Sequence, residues 1–414
     1  MDSERNGRDQ PQPGDERPCW LDVDLDAVSA NVRAIRSILD PETRICAVVK
    51  ADAYGLGAAS VARAALAAGA ERLAIARVEE GVRLRQADLR VPILLMAGFA
   101  PSEATEIVRH DLTPTVVEVD DALALARAAA RAGVALPVHL KVDTGLSRFG
   151  SAPSATLDLA RLVQNLPSLR LEGLYTHFAS ADEPDLSSTR AQLDRLWTVY
   201  AAMAANGQTP PVLHAANSAA TLAEPMARLD MVRLGITLSG HYPSPDVPRA
   251  CGLRPAVSLR GRLQRTYPLA AGATVGYGRT YRADRPLRVG LVPLGYADGV
   301  PRTHSNGAEA LIRGRRASLI GRVSMDQCVV DITDVPDARR GDVVSLFGAD
   351  DGACVDLDEF ASWSGTIAHE ALCRIGSRVP RRYHQGGRSW WGPDDATWAS
   401  PTRSDVQPVG RRGS

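Results

Sequence analysis

Eight short apolar runs, each followed by an Ala- and Leu-rich stretch whose apolar residues recur three and four apart, fill the chain between about residues 44 and 240. The runs lie at 45–50, 73–76, 92–96, 112–117, 137–142, 171–177, 212–215 and 231–233, and two of the intervening helices read clearly at 120–132 and 186–205. A run that is apolar throughout suits a strand covered on both faces, and strands regularly followed by helices form parallel sheets. Eight such units predict an N-terminal (β/α)8 TIM-type barrel, with the functional groups at the carboxyl ends of its strands.

Past residue 239 the pattern changes to short strands with turn residues between them, at 256–263, 288–292, 310–312, 317–320, 327–332 and 342–347. The predicted fold class is therefore α/β: a barrel over residues 18–240, then a C-terminal mainly-β domain over 241–385. An opening segment at 20–24 alternates apolar with acidic residues ahead of the barrel, and is expected to pair with the β domain. Residues 1–17 and 386–414 are polar and rich in Pro and Gly, and read as disordered tails despite Trp390, Trp391 and Trp398.

With 414 residues, 45% of them apolar, the chain can build cores for two domains. Lys plus Arg (48) equals Asp plus Glu (48), so no net field invites nucleic acid or an anionic membrane, which favours a small-molecule substrate. Cys19, Cys46, Cys251, Cys328, Cys354 and Cys373 lack metal-ligand spacing, and no secretory leader or membrane-spanning apolar run is evident. The expectation is a cytoplasmic protein with free thiols and no metal.

The first barrel run ends in Ala47-Val48-Val49-Lys50-Ala51-Asp52-Ala53-Tyr54-Gly55. It delivers Lys50 to a strand end with no charged residue just before it. A partly desolvated amine loses some of its preference for the charged form and can attack an aldehyde, pyridoxal phosphate being the expected one. On these nine residues alone, a lysine snorkelling from the end of a core strand is the better reading. Barrels of this kind often hold phosphate on the loops after strands seven and eight, here Asn217-Ser218 and Leu234-Gly235-Ile236. A hydroxyl, exposed N–H groups and a glycine suit a dianion there, although Ser218 taken alone reads first as an ordinary helix N-cap.

Eight motifs in order carry a resemblance over residues 20–383: the lysine stretch above, Lys141-Val142-Asp143-Thr144-Gly145, Thr176-His177-Phe178-Ala179, Ala216-Asn217-Ser218-Ala219, Met231-Val232-Arg233-Leu234-Gly235-Ile236, Gly276-Tyr277-Gly278, Gly295-Tyr296-Ala297-Asp298-Gly299 and Ser324-Met325-Asp326-Gln327. In these the chain resembles the alanine racemases, pyridoxal-phosphate enzymes of fold type III. The resemblance implies interconversion of L- and D-alanine for peptidoglycan precursors by two bases. Lys50 holds the cofactor and serves one face; Tyr277 of the partner subunit in a homodimer serves the other, supported by His177 and Arg233. It further implies that Tyr54, Asn217, Ser218, Gly235 and Ile236 help hold the cofactor, and that Arg148, Met325 and Tyr296 meet the substrate. Asp182, Arg302 and Arg322 line the entrance by the same likeness, and Lys141 is expected to be carbamylated.

An arginine facing the pyridine nitrogen cannot give up its proton, which keeps that nitrogen unprotonated and disfavours transamination. Read alone, Arg233 could instead pair with Asp230, Lys141 with Asp143, and Tyr277 could be a turn residue between two glycines. The chain departs from many alanine racemases at Ser377, where they carry tyrosine before Arg-Val-Pro. That opens the pocket and weakens discrimination against serine. A cofactor-carrier protein of the same barrel type would lack the β domain and Tyr277. A fold-type III decarboxylase would have a carboxylate in place of Arg233 and a glycine-rich phosphate loop.

Overall fold

The computed structural model describes residues 17–392. The expectations for residues 1–16 and 393–414, Trp398 included, fall outside that range. Strand β1 (Cys19–Asp24) is the first element among the described residues, and Asp24 caps the helix Leu25–Arg36, accepting from Ala27 N at 2.9 Å. The barrel strands are β2 (Arg44–Val48), β3 (Arg72–Ile75), β4 (Ile93–Leu95), β5 (Leu112–Val116), β6 (Leu136–Lys141), β7 (Leu169–Tyr175), β8 (Val212–His214) and β9 (Met231–Leu234). Each lies within two residues of its predicted start. The two helices read from periodicity occur at Val119–Ala132, closed by Gly133 at φ 68°, and Ser187–Ala205.

These strands form one parallel sheet in the order β8-β7-β6-β5-β4-β3-β2-β9. Its ends meet through two isolated bonds, Asp230 N to Leu213 O (3.1 Å) and Arg233 N to Ala216 O (3.0 Å), which nearly close the barrel. Side chains inside it divide by polarity. Cys46, Val48, Ala74, Leu94, Val212 and Met231 pack as one apolar cluster, whereas Thr115, His139, Lys141, Tyr175, His214 and Arg233 are buried polar groups on neighbouring strands. The larger core lies outside the sheet, under the helices.

The β domain contributes β10 (Val257–Arg262), β11 (Arg265–Leu269), β12 (Thr274–Val275), β13 (Tyr281–Arg282), β14 (Leu287–Val292), β15 (Glu309–Ile312), β16 (Arg315–Ile320), β17 (Cys328–Asp331), β18 (Val343–Asp350), β19 (Ala353–Val355), β20 (Arg381–Gln385) and β21 (Arg388–Trp391). Among the described residues its main sheet runs β11-β14-β17-β16-β15-β18-β10-β1-β20-β21, with β19 added on β18 and β12-β13 as a separate ribbon. The opening strand thus lies inside the second domain's sheet, antiparallel to β10 and parallel to β20. Buried Asp22 of this strand is bonded to Arg382, His384 and Trp20 Nε1 and paired with Arg260.

One expectation needs correction. The chain does not lose structure at residue 386, because Gly386 (φ 57°) and Gly387 (φ 75°) make a two-residue turn that folds β21 back on β20. Positive φ at both central residues matches the twist of a hairpin, and Trp390 packs against Tyr383 with ring centres 5.8 Å apart. The tail-like composition of the segment concealed this glycine pair.

Candidate active site

Lys50 follows β2 after Val49, and the four residues after it are in the left-handed region: Ala51 (φ 51°), Asp52 (55°), Ala53 (54°) and Tyr54 (59°), with Gly55 at 83°. One turn of left-handed helix in L-residues costs about 1–2 kcal/mol per residue, so the surroundings must impose it. They do so from three sides. Glu80 accepts from Ala51 N (2.6 Å) while also holding Ala76 N and Arg77 N, and Asp52 accepts from Ala58 N (2.6 Å). From the β domain, Arg381 donates to Gly55 O (2.8 Å) and Tyr383 to Leu56 O (3.0 Å). Gly57 completes the fit, since a Cβ there would fall 1.7 Å from Tyr383 Oη.

The turn sets the Lys50 amine in a cationic neighbourhood. Burial, then the nearby Arg148, depress its pKa, with Arg233 adding to the effect and Glu80 opposing it. Arg233 is fully buried on β9, and no carboxylate pairs with it among the described residues. Its partners are neutral: Nη1 donates to His214 Nδ1 (2.9 Å), and Nη2 to Thr176 O (2.9 Å), Ala215 O (2.8 Å) and His177 Nδ1 (3.2 Å). The pairing with Asp230 that the sequence allowed is absent; Asp230 accepts from Leu213 N instead. Burial and the Arg233 charge hold His177 neutral, well below the usual imidazole range. Because Arg233 can only donate, His177 Nδ1 accepts and its ring proton belongs on Nε2.

Lys141 closes the group at the end of β6. Its Nζ lies 5.0 Å from the centre of the Phe149 ring and 5.4 Å from that of Tyr175, and burial with Arg233 and Arg148 pulls its pKa down to about 7. Asp143 does not pair with it, being committed to the N–H groups of Gly145, Leu146 and Ser147. Arg148 stands exposed on the same loop.

At the opposite side of Lys50, Tyr54 lies against Gly235, where an added Cβ would sit 2.4 Å from Tyr54 Oη. Ser218 is not the helix cap; Asn217 is, accepting from Ala220 N. Ser218 Oγ is thereby left to accept from Gly235 N (2.9 Å) and to meet Thr237 Oγ1 (3.2 Å). The backbone then turns at Ile236–Ser239.

Tyr277, Tyr296 and Met325 are not part of this group. They stand on the β domain, 71, 45 and 52% exposed, the last two on loops locked to each other by Tyr296 N to Ser324 O and Ala297 N to Met325 O, both 3.0 Å. Arg322 backs the Tyr277 turn at Gly276 and Gly278, and Arg378 ties Asp298 to Asp326 beside Met325. Arg302 opens a short turn on the same domain, and the Asp182 carbonyl accepts from Ser244 Oγ. Sequence reasoning passed over Glu80, His139, His214 and Tyr175. The available signal was alternation: His139 and Lys141 are two apart on β6, and register pairs Lys141 with Tyr175 and Tyr175 with His214.

The likeness read from the motifs can be tested against known proteins. Residues 23–243 match the family described as "Alanine racemase, N-terminal domain" and residues 256–383 that described as "Alanine racemase, C-terminal domain". The chain belongs to the alanine racemase family. It is accordingly an amino-acid racemase, an isomerase. The alanine racemase of Desulforamulus reducens is 43% identical over 371 residues, spanning 89% of this chain and 99% of its own. Among solved structures, the alanine racemase of Streptomyces coelicolor A3(2) superposes with a TM-score of 0.85 at 40% identity, covering 88% of this chain and 98% of its own. That of Bacillus anthracis with bound L-Ala-P gives 0.85 at 33%, covering 90% and 96%.

Proposed function

We infer that this alanine racemase interconverts L- and D-alanine with pyridoxal phosphate held on Lys50, and that Tyr277 of the partner subunit completes each site in a homodimer. The observation that carries the reading is a depressed lysine amine beside a buried arginine that has no carboxylate partner among the described residues. The residues fit the cofactor: an amine for its aldehyde, a guanidinium for its ring nitrogen, and a cradle for its phosphate where a Cβ on Gly235 would collide with Tyr54. Tyr54, Ser218, Gly235 and Ile236 would hold the phosphate, with Asn217 shaping the loop. Bound pyridoxal phosphate supplies an electron sink that acidifies the amino acid's α-proton.

Lys50 Nζ accepts or returns that proton on one face, and Tyr277 Oη of the partner subunit does so on the other. The ionised form of a phenol needs a hydrogen-bond donor, and the His177 Nε2 proton is suited to that. Arg233 would offer the ring nitrogen a donor that cannot release its proton, which would favour proton return over transamination. Arg148 takes the substrate carboxylate through its two-pronged guanidinium. Met325 and Tyr296 of a second copy wall the pocket, which agrees with their exposure in the single chain. A Lys141 amine depressed to about 7 is nucleophilic near neutrality and can capture CO2, converting a repelled cation into an anion beside Arg148. Exposed Ser377 leaves room for serine at a lower rate than alanine.

We place the enzyme in the cytoplasm, supplying D-alanine for peptidoglycan; among the described residues no helix is long and apolar enough to cross a membrane. The test is a coupled assay of L-alanine to D-alanine conversion with the visible absorbance of lysine-bound pyridoxal followed in parallel. Lys50→Ala loses both signals. Full racemisation by Lys50→Ala would end the assignment.

A further inference from the structure

A line of buried polar groups leaves Arg233 in the direction away from Lys50 and ends at the opposite mouth of the barrel. His214 Nδ1 accepts from Arg233, and His214 Nε2 lies 2.9 Å from His139 Nδ1. His139 Nε2 in turn lies 3.2 Å from Glu172 Oε2, and the same oxygen takes Arg72 Nη1 at 2.7 Å. Both imidazoles are fully buried. Tyr175 stacks on His214 with ring centres 4.5 Å apart. Gly173, the register partner of His139, makes room for its ring, because a Cβ there would fall 2.5 Å from His139 Nδ1.

Donor arithmetic gives the line a direction. A neutral imidazole has one N–H and one lone pair, and a guanidinium has donors only. Arg233 therefore forces His214 Nδ1 to accept, His214 Nε2–H donates to His139 Nδ1, and His139 Nε2–H must find an acceptor. Glu172 is that acceptor. Arg72 is a second donor-only group, and its Nη1 lies 3.2 Å from the same His139 Nε2. Without the carboxylate between them, Arg72 would claim the His139 lone pair at Nε2, and the ring proton would move to Nδ1. His214 would then face a donor at each end, and the pair of rings could satisfy only one of the two arginines.

We propose that Glu172 is a positioning residue for Arg233: by engaging Arg72 and accepting from His139, it keeps the two-imidazole relay open to Arg233 alone. The proposal rests on Arg233 serving the cofactor ring as read above. Burial by itself would raise the Glu172 carboxyl, but its bonds to His139 and Arg72 outweigh this and keep it ionised well below the usual range. Burial and Arg233 likewise hold His214 neutral, as a single-proton relay requires.

The test uses the full chain, with ring-15N spectra of its histidines recorded without added substrate, and steady-state alanine racemisation. In the wild type both His139 and His214 carry their proton on Nε2. Glu172→Met, which leaves Arg72 competing, shows His139 protonated on Nδ1 and a kcat about tenfold lower at unchanged KM, the scale of one buried hydrogen bond. Glu172→Gln keeps an acceptor oxygen and stays within about twofold of wild type. The double variant Arg72→Met/Glu172→Met removes the competitor with the carboxylate, leaves no buried unpaired charge since Arg170, which also meets Glu172 at 3.5 Å, is itself half exposed, and regains both the Nε2 protons and kcat. A merely structural ion pair makes the double variant no better than Glu172→Met, and that result overturns the proposal. So do unchanged ring protons and kcat in Glu172→Met. Should Glu172→Met not fold, the double variant decides: wild-type ring protons with wild-type kcat support the relay, and impairment overturns it. Absence of racemisation in the wild type would instead count against the functional reading, since the ring spectra need no substrate.

Discussion

Ala51→Gly should make this protein more stable and less active. Ala51 is exposed, with φ 51° and ψ 46°, so the substitution removes no buried contact. Glycine adopts these angles freely, recovering about 1–2 kcal/mol of left-handed cost. Against this, its greater freedom in the unfolded chain costs roughly 0.4–1 kcal/mol. The net gain is about 0.8 kcal/mol. With a denaturant slope of about 3 kcal/mol/M, the urea midpoint rises by about 0.3 M. The measurement is urea unfolding of cofactor-free protein at fixed concentration, because assembly shifts apparent stability. Ala51→Val is the opposing control: a β-branched side chain fits these angles poorly and lowers the midpoint. Turnover should fall in Ala51→Gly, since a turn free to relax holds the Lys50 amine less firmly. A midpoint that stays put or drops at unchanged slope would show that the turn is not under strain, and the argument for an imposed lysine geometry would go with it.

Three further outcomes follow from the same geometry. Tyr277→Phe keeps the ring and removes the hydroxyl of an exposed residue, so lysine-bound cofactor absorbance is unchanged while racemisation drops by about 10²–10⁴; near-full activity would remove the second base. Asp22 is pushed up by burial but pulled further down, to about 2, by His384 and Arg382. Because its folded pKa is the lower one, its stabilisation is complete above about pH 4 and drains away as pH falls towards 2, and Asp22→Asn should cost about 2 kcal/mol at neutral pH and flatten the acid limb of unfolding. For Lys141, 13C-labelled bicarbonate should give a carbamate resonance that strengthens as pH rises through about 7 and is missing in Lys141→Met; a resonance insensitive to that substitution would place the carbamate elsewhere.

The barrel was legible because its strands are apolar throughout and short, so run, helix and run succeed one another eight times without ambiguity. Register was enough to bring Lys50, Arg233 and the Ser218 and Gly235 loops to one end. The left-handed turn was not legible, since Ala51 and Ala53 have no preference for it, a lone Asp52 visits it only as a single residue, and the turn is held by Glu80, Arg381 and Tyr383 from distant parts of the chain. Nor was the relay behind Arg233, because His139, Glu172 and His214 are ordinary residues until parallel register lays their strands side by side. The roles of Tyr277, Tyr296 and Met325 came from likeness to the alanine racemases, as nothing in their own surroundings ties them to Lys50.

The place of β1 between β10 and β20 has a temporal consequence. Once out of the ribosome, β1 has to wait, unpaired on that side, for Arg381–Gln385, which takes on the order of 20–70 s at about 5–20 residues per second. The residues that brace the lysine turn, Arg381 and Tyr383, arrive with that same late strand. A nascent chain arrested before Arg381 emerges should therefore be cut readily by protease around residues 19–57, while the released chain resists. The barrel is synthesised first, yet its reactive end is finished last.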